Sequence, residues 1–247
     1  MRDAPISEAA IIGCALGASM TGCPAIAEIP FCDFIGVPMD QIYNQTAKIR
    51  YMFGGQVDVP MVIRTPVGGY MAAAAQHSQS LEAWFTHVPG LKIVMPSTPY
   101  DAKGLLKKDI RDKNPVMFFE HKKLYQVKGE VPDKEYILPF GEADIKREGE
   151  DLTIVATSYI LNMTLKATEK LSKVGIEAEV IDPRTLDPLD IETIINSAKK
   201  TGKILIAHEA WKKSGIGAEI AAEVSERSIG EIEELKRIGA KDVPIPF

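Results

Sequence analysis

What most restricts the fold of this chain is an alternation that repeats through its second half. Short apolar runs at 152–157, 177–182 and 203–208 are separated by segments whose apolar residues recur at helical spacing. Ile160, Leu161 and Leu165 lead one such face, with Thr168 and Leu171 beside them, and Gly175 stops it. Ile191, Ile194, Ile195 and Ala198 form the next, and Ile220, Ala221 and Val224 the last, with a weaker run at 235–238 closing the series. Near-continuous apolar strands alternating with helices predict an α/β fold, a mainly parallel sheet covered on both faces.

The first half repeats the theme less cleanly, with runs at 25–29, 60–65, 92–95 and 116–120. Between 121 and 151 the periodicity dissolves into Lys, Glu, Gly and Pro, which reads as a connector. The expected organisation is a first domain over 1–121, a connector over 122–150 and a second domain over 151–247. A length of 247 residues accommodates two modest domains.

The first half opens on a helix, not a strand. From Ser7 to about residue 21 it is mostly small: Ala9, Ala10, Gly13, Ala15, Gly17 and Ala18, with Gly22 as the stop. Small side chains let backbones approach closely, so this helix is expected to have a close neighbour. Glu8 stands in its first turn, either as an acid favoured by the helix dipole or as a carboxylate fixed to hydrogen-bond a ligand nitrogen. His77 lies in a polar stretch after Gly68 and Gly69, as a solvated loop histidine or a site residue. Phe31, Phe34 and Tyr43 flank a Pro-broken stretch, as core aromatics or a ring against a cofactor. The turn 109–115 is a polar αβ connection or a set of carbonyls facing a cation.

Composition narrows the partners. Net charge is −5 with the signs interspersed, which gives no stripe to follow a phosphate backbone, so nucleic acid is not expected. The apolar run at 9–20 is too short to span a bilayer, and residues 1–8 do not read as a signal peptide. Cys14, Cys23 and Cys32 match no zinc spacing and read as buried, reduced thiols of a cytoplasmic protein. No Walker loop, G-x-S-x-G elbow or H-E-x-x-H pair occurs. Gly215 and Gly217 are a tight turn into a helix or a nucleotide-binding turn, the full dinucleotide fingerprint being broken by Ile220.

Several stretches taken in order resemble one family. They include Pro5-Ile6-Ser7-Glu8, Phe31-Cys32-Asp33-Phe34, Asp40-Gln41-Ile42-Tyr43-Asn44-Gln45-Thr46, Gln76-His77-Ser78-Gln79-Ser80, Asp101-Ala102-Lys103-Gly104-Leu105-Leu106 and Val180-Ile181-Asp182-Pro183-Arg184-Thr185-Leu186. This set is similar to the beta subunit of the thiamine-diphosphate-dependent decarboxylase component of 2-oxoacid and acetoin dehydrogenase complexes. The resemblance implies a transketolase-like pyrimidine-binding domain, short of its first elements, followed by a transketolase C-terminal-like domain. It implies a subunit that decarboxylates a pyruvate-type 2-oxoacid, or cleaves acetoin, and acylates lipoamide, and that is inactive alone. The alternative is a truncated, non-catalytic assembly protein. The stretch Leu81-Glu82-Ala83-Trp84-Phe85 leans toward the acetoin and pyruvate branches over the branched-chain one.

The resemblance also implies roles. Glu8 matches the glutamate on N1′ of the cofactor's aminopyrimidine, where a carboxyl group favours the tautomer whose 4′ nitrogen accepts a proton. Phe34 matches the aromatic against that ring. His77 matches a histidine at the entrance, associated with acyl transfer to the lipoyl arm. Met61, Asp109, Ile110, Asp112 and Asn114 match positions around a potassium ion. The diphosphate and its magnesium belong in this family to the alpha subunit, which implies an α2β2 heterotetramer. A lipoyl acyltransferase component is the expected further partner.

Overall fold

The computed structural model describes residues 3–247. The chain builds two five-stranded sheets. In the first half, α1 (Glu8–Met20) leads into β1 (Ala25–Glu28), a 3₁₀ turn (Cys32–Phe34), a π-helical turn (Gln41–Thr46) and the short α2 (Ile49–Met52). Then follow β2 (Met61–Val67), α3 (Glu82–Thr86), β3 (Lys92–Val94), α4 (Pro99–Ile110) and β4 (Val116–His121). After a 3₁₀ turn at Lys122–Gln126 come β5 (Asp144–Arg147), β6 (Leu152–Ala156), α5 (Ser158–Ser172), β7 (Ala178–Asp182) and β8 (Thr185–Asp187). The chain finishes with α6 (Ile191–Thr201), β9 (Lys203–Trp211), α7 (Ile216–Arg227) and β10 (Glu234–Ala240).

The sheet orders are β1-β2-β4-β3-β8 and β10-β9-β6-β7-β5. All pairings are parallel except two edge strands, β8 on β3 and β5 on β7. Those two were not anticipated. At three and four residues they are too short to show a period. β5 lies in the stretch read as connector yet extends the second sheet, and β8 comes from the second half yet extends the first.

The helix ends follow elementary capping rules. Thr98 accepts a hydrogen bond from the Asp101 amide at the start of α4, with Pro99 just inside. Asp190 accepts from the Thr193 amide at the start of α6, and Gly202, at φ 70°, ends it. One apolar cluster runs through both halves, from Ile12, Ile63, Phe85 and Phe119 to Ile194, Ile206 and Val224. Phe85 and Phe119 pack 5.8 Å apart, fully buried, and truncating either to alanine is expected to cost about 3–5 kcal/mol.

The small-residue helix has its close neighbours in β1 and the π-helical turn, where Gly13 faces the Gln41 side chain. Its other face is exposed at Ala10, Cys14 and Gly17. The expectation of three buried cysteines is corrected: only Cys32 is buried, while Cys14 and Cys23 are exposed free thiols. Among the described residues, no helix is long and apolar enough to cross a membrane.

Candidate active site

In a parallel sheet, the loops after the strands gather at the carboxyl edge, and ligands bind there. In the first sheet that edge collects 31–34 after β1, 68–80 after β2 and 121–126 after β4. α1 turns directly into β1 through Gly22, at φ 87°, and packs along it. The helix therefore runs opposite to the strand, and its first residue, Glu8, lies toward the same edge.

There the structure brings His77 and Phe34 together. The imidazole meets the Phe34 ring edge-on at 5.5 Å and the Phe31 ring edge-on at 4.9 Å. Phe34 keeps 36% of its surface exposed, so its ring is available to a further planar group. Glu8 is half-buried and makes no side-chain hydrogen bond among the described residues, which leaves its carboxylate free to accept one. Positive φ at Tyr70, Ala72 and Ala74 shows that the 68–80 loop is held in a strained path.

Residues that sequence reasoning passed over hold this loop. Asp33 accepts from the Gln79 side-chain amide at 2.8 Å and from its backbone N–H at 3.2 Å. The Cys32 thiol donates to the Gln79 carbonyl at 3.0 Å. Burial, then the charges of Asp33 and Glu82, push that thiol far up, so it stays protonated and is no nucleophile. The Lys122 ammonium donates to the His77 carbonyl and lies 5.2 Å over the Phe31 ring, and burial lowers its pKa. The signal for Lys122 was weak: a charged residue immediately after an apolar strand.

The five residues assigned to a cation lie at the opposite, amino edge, where β2 begins and where the turn before β4 passes. Asp112 is engaged by Lys92 at 2.6 Å and by the Asn114 backbone and side-chain amides, each at 2.9 Å. Asp109 is fully buried, with neither carboxylate oxygen partnered, and burial pushes its pKa up to about 8. Met61 is buried and Ile110 is partly exposed. Among the described residues no three His, Cys, Asp or Glu side chains converge as a metal site.

Gly215 and Gly217 have a packing explanation. A Cβ at either would fall within 2.7 Å of the buried His208 ring, so the glycines let α7 close onto β9. His208 itself is buried, which lowers its pKa and keeps it neutral.

Comparison with known proteins matches both halves of the chain. The family described as the transketolase pyrimidine binding domain matches residues 1–128, and that described as the transketolase C-terminal domain matches 141–247. The chain is 49% identical to the acetoin:2,6-dichlorophenolindophenol oxidoreductase subunit beta of Cupriavidus necator, over 100% of this chain and 73% of that protein. It is 49% identical to the 2-oxoisovalerate dehydrogenase subunit beta of Bacillus subtilis, over 99% and 75%. To the pyruvate dehydrogenase E1 component subunit beta of the same organism it is 45% identical, over 99% and 76%. A solved split-gene transketolase, described as an inactive beta4 tetramer, superposes with a TM-score of 0.80 at 25% identity. That match covers 96% of this chain and 74% of that one.

Proposed function

Because the chain belongs to the transketolase-type beta subunits of acetoin and 2-oxoacid dehydrogenases, we propose that it is the pyrimidine-binding half of a two-chain active site. With an alpha partner it oxidatively decarboxylates a 2-oxoacid, or cleaves acetoin, and passes the acyl group to lipoamide. The observation that carries this reading is the pairing of His77 with the partly exposed Phe34 ring at the carboxyl edge of the first sheet. Identities of 49% and 51% to acetoin subunits, 49% to a 2-oxoisovalerate subunit and 45% to a pyruvate subunit support acetoin or a 2-oxoacid as the substrate class.

Thiamine diphosphate suits the residues present: a partly exposed ring for its pyrimidine, and toward the same edge a carboxylate without a hydrogen-bond partner among the described residues for a ring nitrogen. When bound, it supplies the carbon nucleophile and electron sink that the reaction needs. Glu8 holds a proton against the pyrimidine nitrogen. Phe34 orients the ring and excludes water from one face, and His77 stands where the acyl acceptor enters. The diphosphate and its magnesium fall to the alpha chain in an α2β2 assembly. The free thiols of Cys14 and Cys23 suit a reducing compartment such as the cytoplasm.

A potassium ion at Met61, Asp109, Ile110, Asp112 and Asn114 is supported by the two unpartnered Asp109 oxygens. It predicts a melting temperature higher in KCl than in NaCl at equal ionic strength.

Co-expression with an alpha chain and a thiamine-diphosphate-dependent dye-reduction assay tests the main reading. Glu8→Ala is expected to remove turnover while the assembly survives on a sizing column. Unchanged turnover in that variant would sink the role given to Glu8.

A further inference from the structure

Among the contacts that the second domain makes with the carboxyl edge of the first, one runs through a carboxylate. Glu209, in β9, is not among the residues assigned above to the reaction. Its carboxylate spans two partners: Oε1 accepts from the Gly69 backbone N–H at 2.5 Å, and Oε2 lies 2.5 Å from His121 Nε2. The tautomer of His121 follows from its other nitrogen. Nδ1 accepts from the Lys123 N–H at 3.1 Å, so the ring proton sits on Nε2 and points at Glu209. The His121 side chain is 1% exposed and stacks on Tyr159 of α5, with ring centroids 5.0 Å apart.

This contact lies at the root of the loop that carries His77. Register pairs Val67 with His121, so the loop leaves β2 directly beside the imidazole. Gly68, at φ 89°, is squeezed there, and a Cβ on it would fall 2.1 Å from His121 Nε2. At the far side of the loop Lys122, the next residue after His121, holds the His77 carbonyl. One short stretch, His121-Lys122, thus touches both the beginning of the loop and its functional histidine. Glu209 locks that stretch to Gly69.

We infer that Glu209 is a positioning residue: through His121 and the Gly69 amide it sets the 68–80 loop so that the His77 ring meets Phe34. The second domain thereby serves the reaction as well as the fold. The inference rests on the reading of His77 as the residue at the acyl acceptor's entrance.

The test uses the assembled alpha–beta complex with Glu209→Ala, Glu209→Gln and His77→Ala. Hydrogen exchange in peptides covering 69–80 reads the loop directly, whatever His77 does. Acylation of an isolated lipoyl domain and reduction of dichlorophenolindophenol read the two halves of the reaction. In Glu209→Ala, exchange at 69–80 is expected to rise about tenfold while β4 peptides stay protected, since two charge-assisted hydrogen bonds are lost. kcat for lipoyl acylation falls about tenfold while dye reduction stays within about twofold, because a displaced group costs rate only where it must be aligned. Glu209→Gln retains an acceptor for one partner only and gives an intermediate value. Being isosteric, it carries the same test if the alanine variant does not assemble.

Unchanged protection at 69–80 overturns the inference outright. So does normal acylation by Glu209→Ala alongside impaired acylation by His77→Ala. If His77→Ala itself acylates normally, the reading of His77 has failed, and the positioning claim is decided by hydrogen exchange alone.

Discussion

The carboxyl edges of the two sheets are built to opposite plans. At the first, Glu8 and the Phe34 ring are left partly open, and three non-glycine residues of the 68–80 loop sit at positive φ. At the second, where Asp101 of α4 comes across from the first domain, almost every charge is matched. Arg184 donates through Nε to Asp101 at 2.8 Å and through Nη2 to Asp144 at 2.7 Å. Lys146 bonds the same two carboxylates, at 3.0 and 2.5 Å. Asp101 is fully buried within this set. A reacting edge needs unspent hydrogen-bonding capacity, whereas an edge that fastens two domains needs its buried charges fully compensated. The difference shows that one strand-end geometry can serve either purpose, according to whether its polar groups are already partnered.

Four changes probe that contrast. On the role proposed for Glu8, Glu8→Gln at the open edge is expected to lower turnover about a hundredfold or more, with little change in melting temperature. A dye-reduction assay and a thermal melt on the same sample separate the two effects. Arg184→Ala attacks the compensated edge. It leaves Lys146 as the one cation facing Asp101 and Asp144 among the described residues, with Thr98 still donating to Asp101, and should cost about 3–5 kcal/mol in denaturant unfolding.

Asp182, at the end of β7, is the exception at that edge. Burial, then the nearby charge of Asp101, pushes its pKa up to about 7 from 3.8. The folded chain thus keeps a proton that the unfolded chain releases over that window. Its contribution to stability is complete below about pH 4 and is lost as pH rises toward 7, amounting to a few kcal/mol. Asp182→Asn is expected to flatten this dependence, and a melt series from pH 4.5 to 8 that keeps its wild-type slope would refute the assignment. Smallest of all, Asp190→Ala removes the cap of α6 and a bond to the Ala143 amide, remote from the open edge. About 1–2 kcal/mol should be lost, with turnover per assembled complex unchanged.

Much of this contrast was legible along the chain, and for a local reason. The stripe of Ile191, Ile194, Ile195 and Ala198, bounded by Asp190 and Gly202, predicts a helix that packs on one face, and α6 is that helix. Glu8, Phe34 and His77 were reached through ordered motifs, and the structure brings Phe34 and His77 into contact. Asp33 and Lys122 escaped, because a carboxylate holding a loop and a lysine capping a carbonyl look in sequence like ordinary surface charges. The cysteines misled for a related reason: Cys14 shares a helix of small residues with buried Ile12 and Leu16 but projects from its other face.

By itself the sequence determined where the principal strands and helices lie, that two α/β layers form, and which family the motifs belong to. Each of these is written in neighbouring residues, since period, capping and motif act over a turn or a strand. Only the tertiary structure decided that β8 crosses to the first sheet and that β5 extends the second. It alone decided that Glu209 meets His121 across 88 positions and Gly69 across 140. Contacts at such separation leave no local trace. Their partners are chosen by strand order and the closing of one domain on the other, which bring distant residues within hydrogen-bonding reach only after both layers have packed.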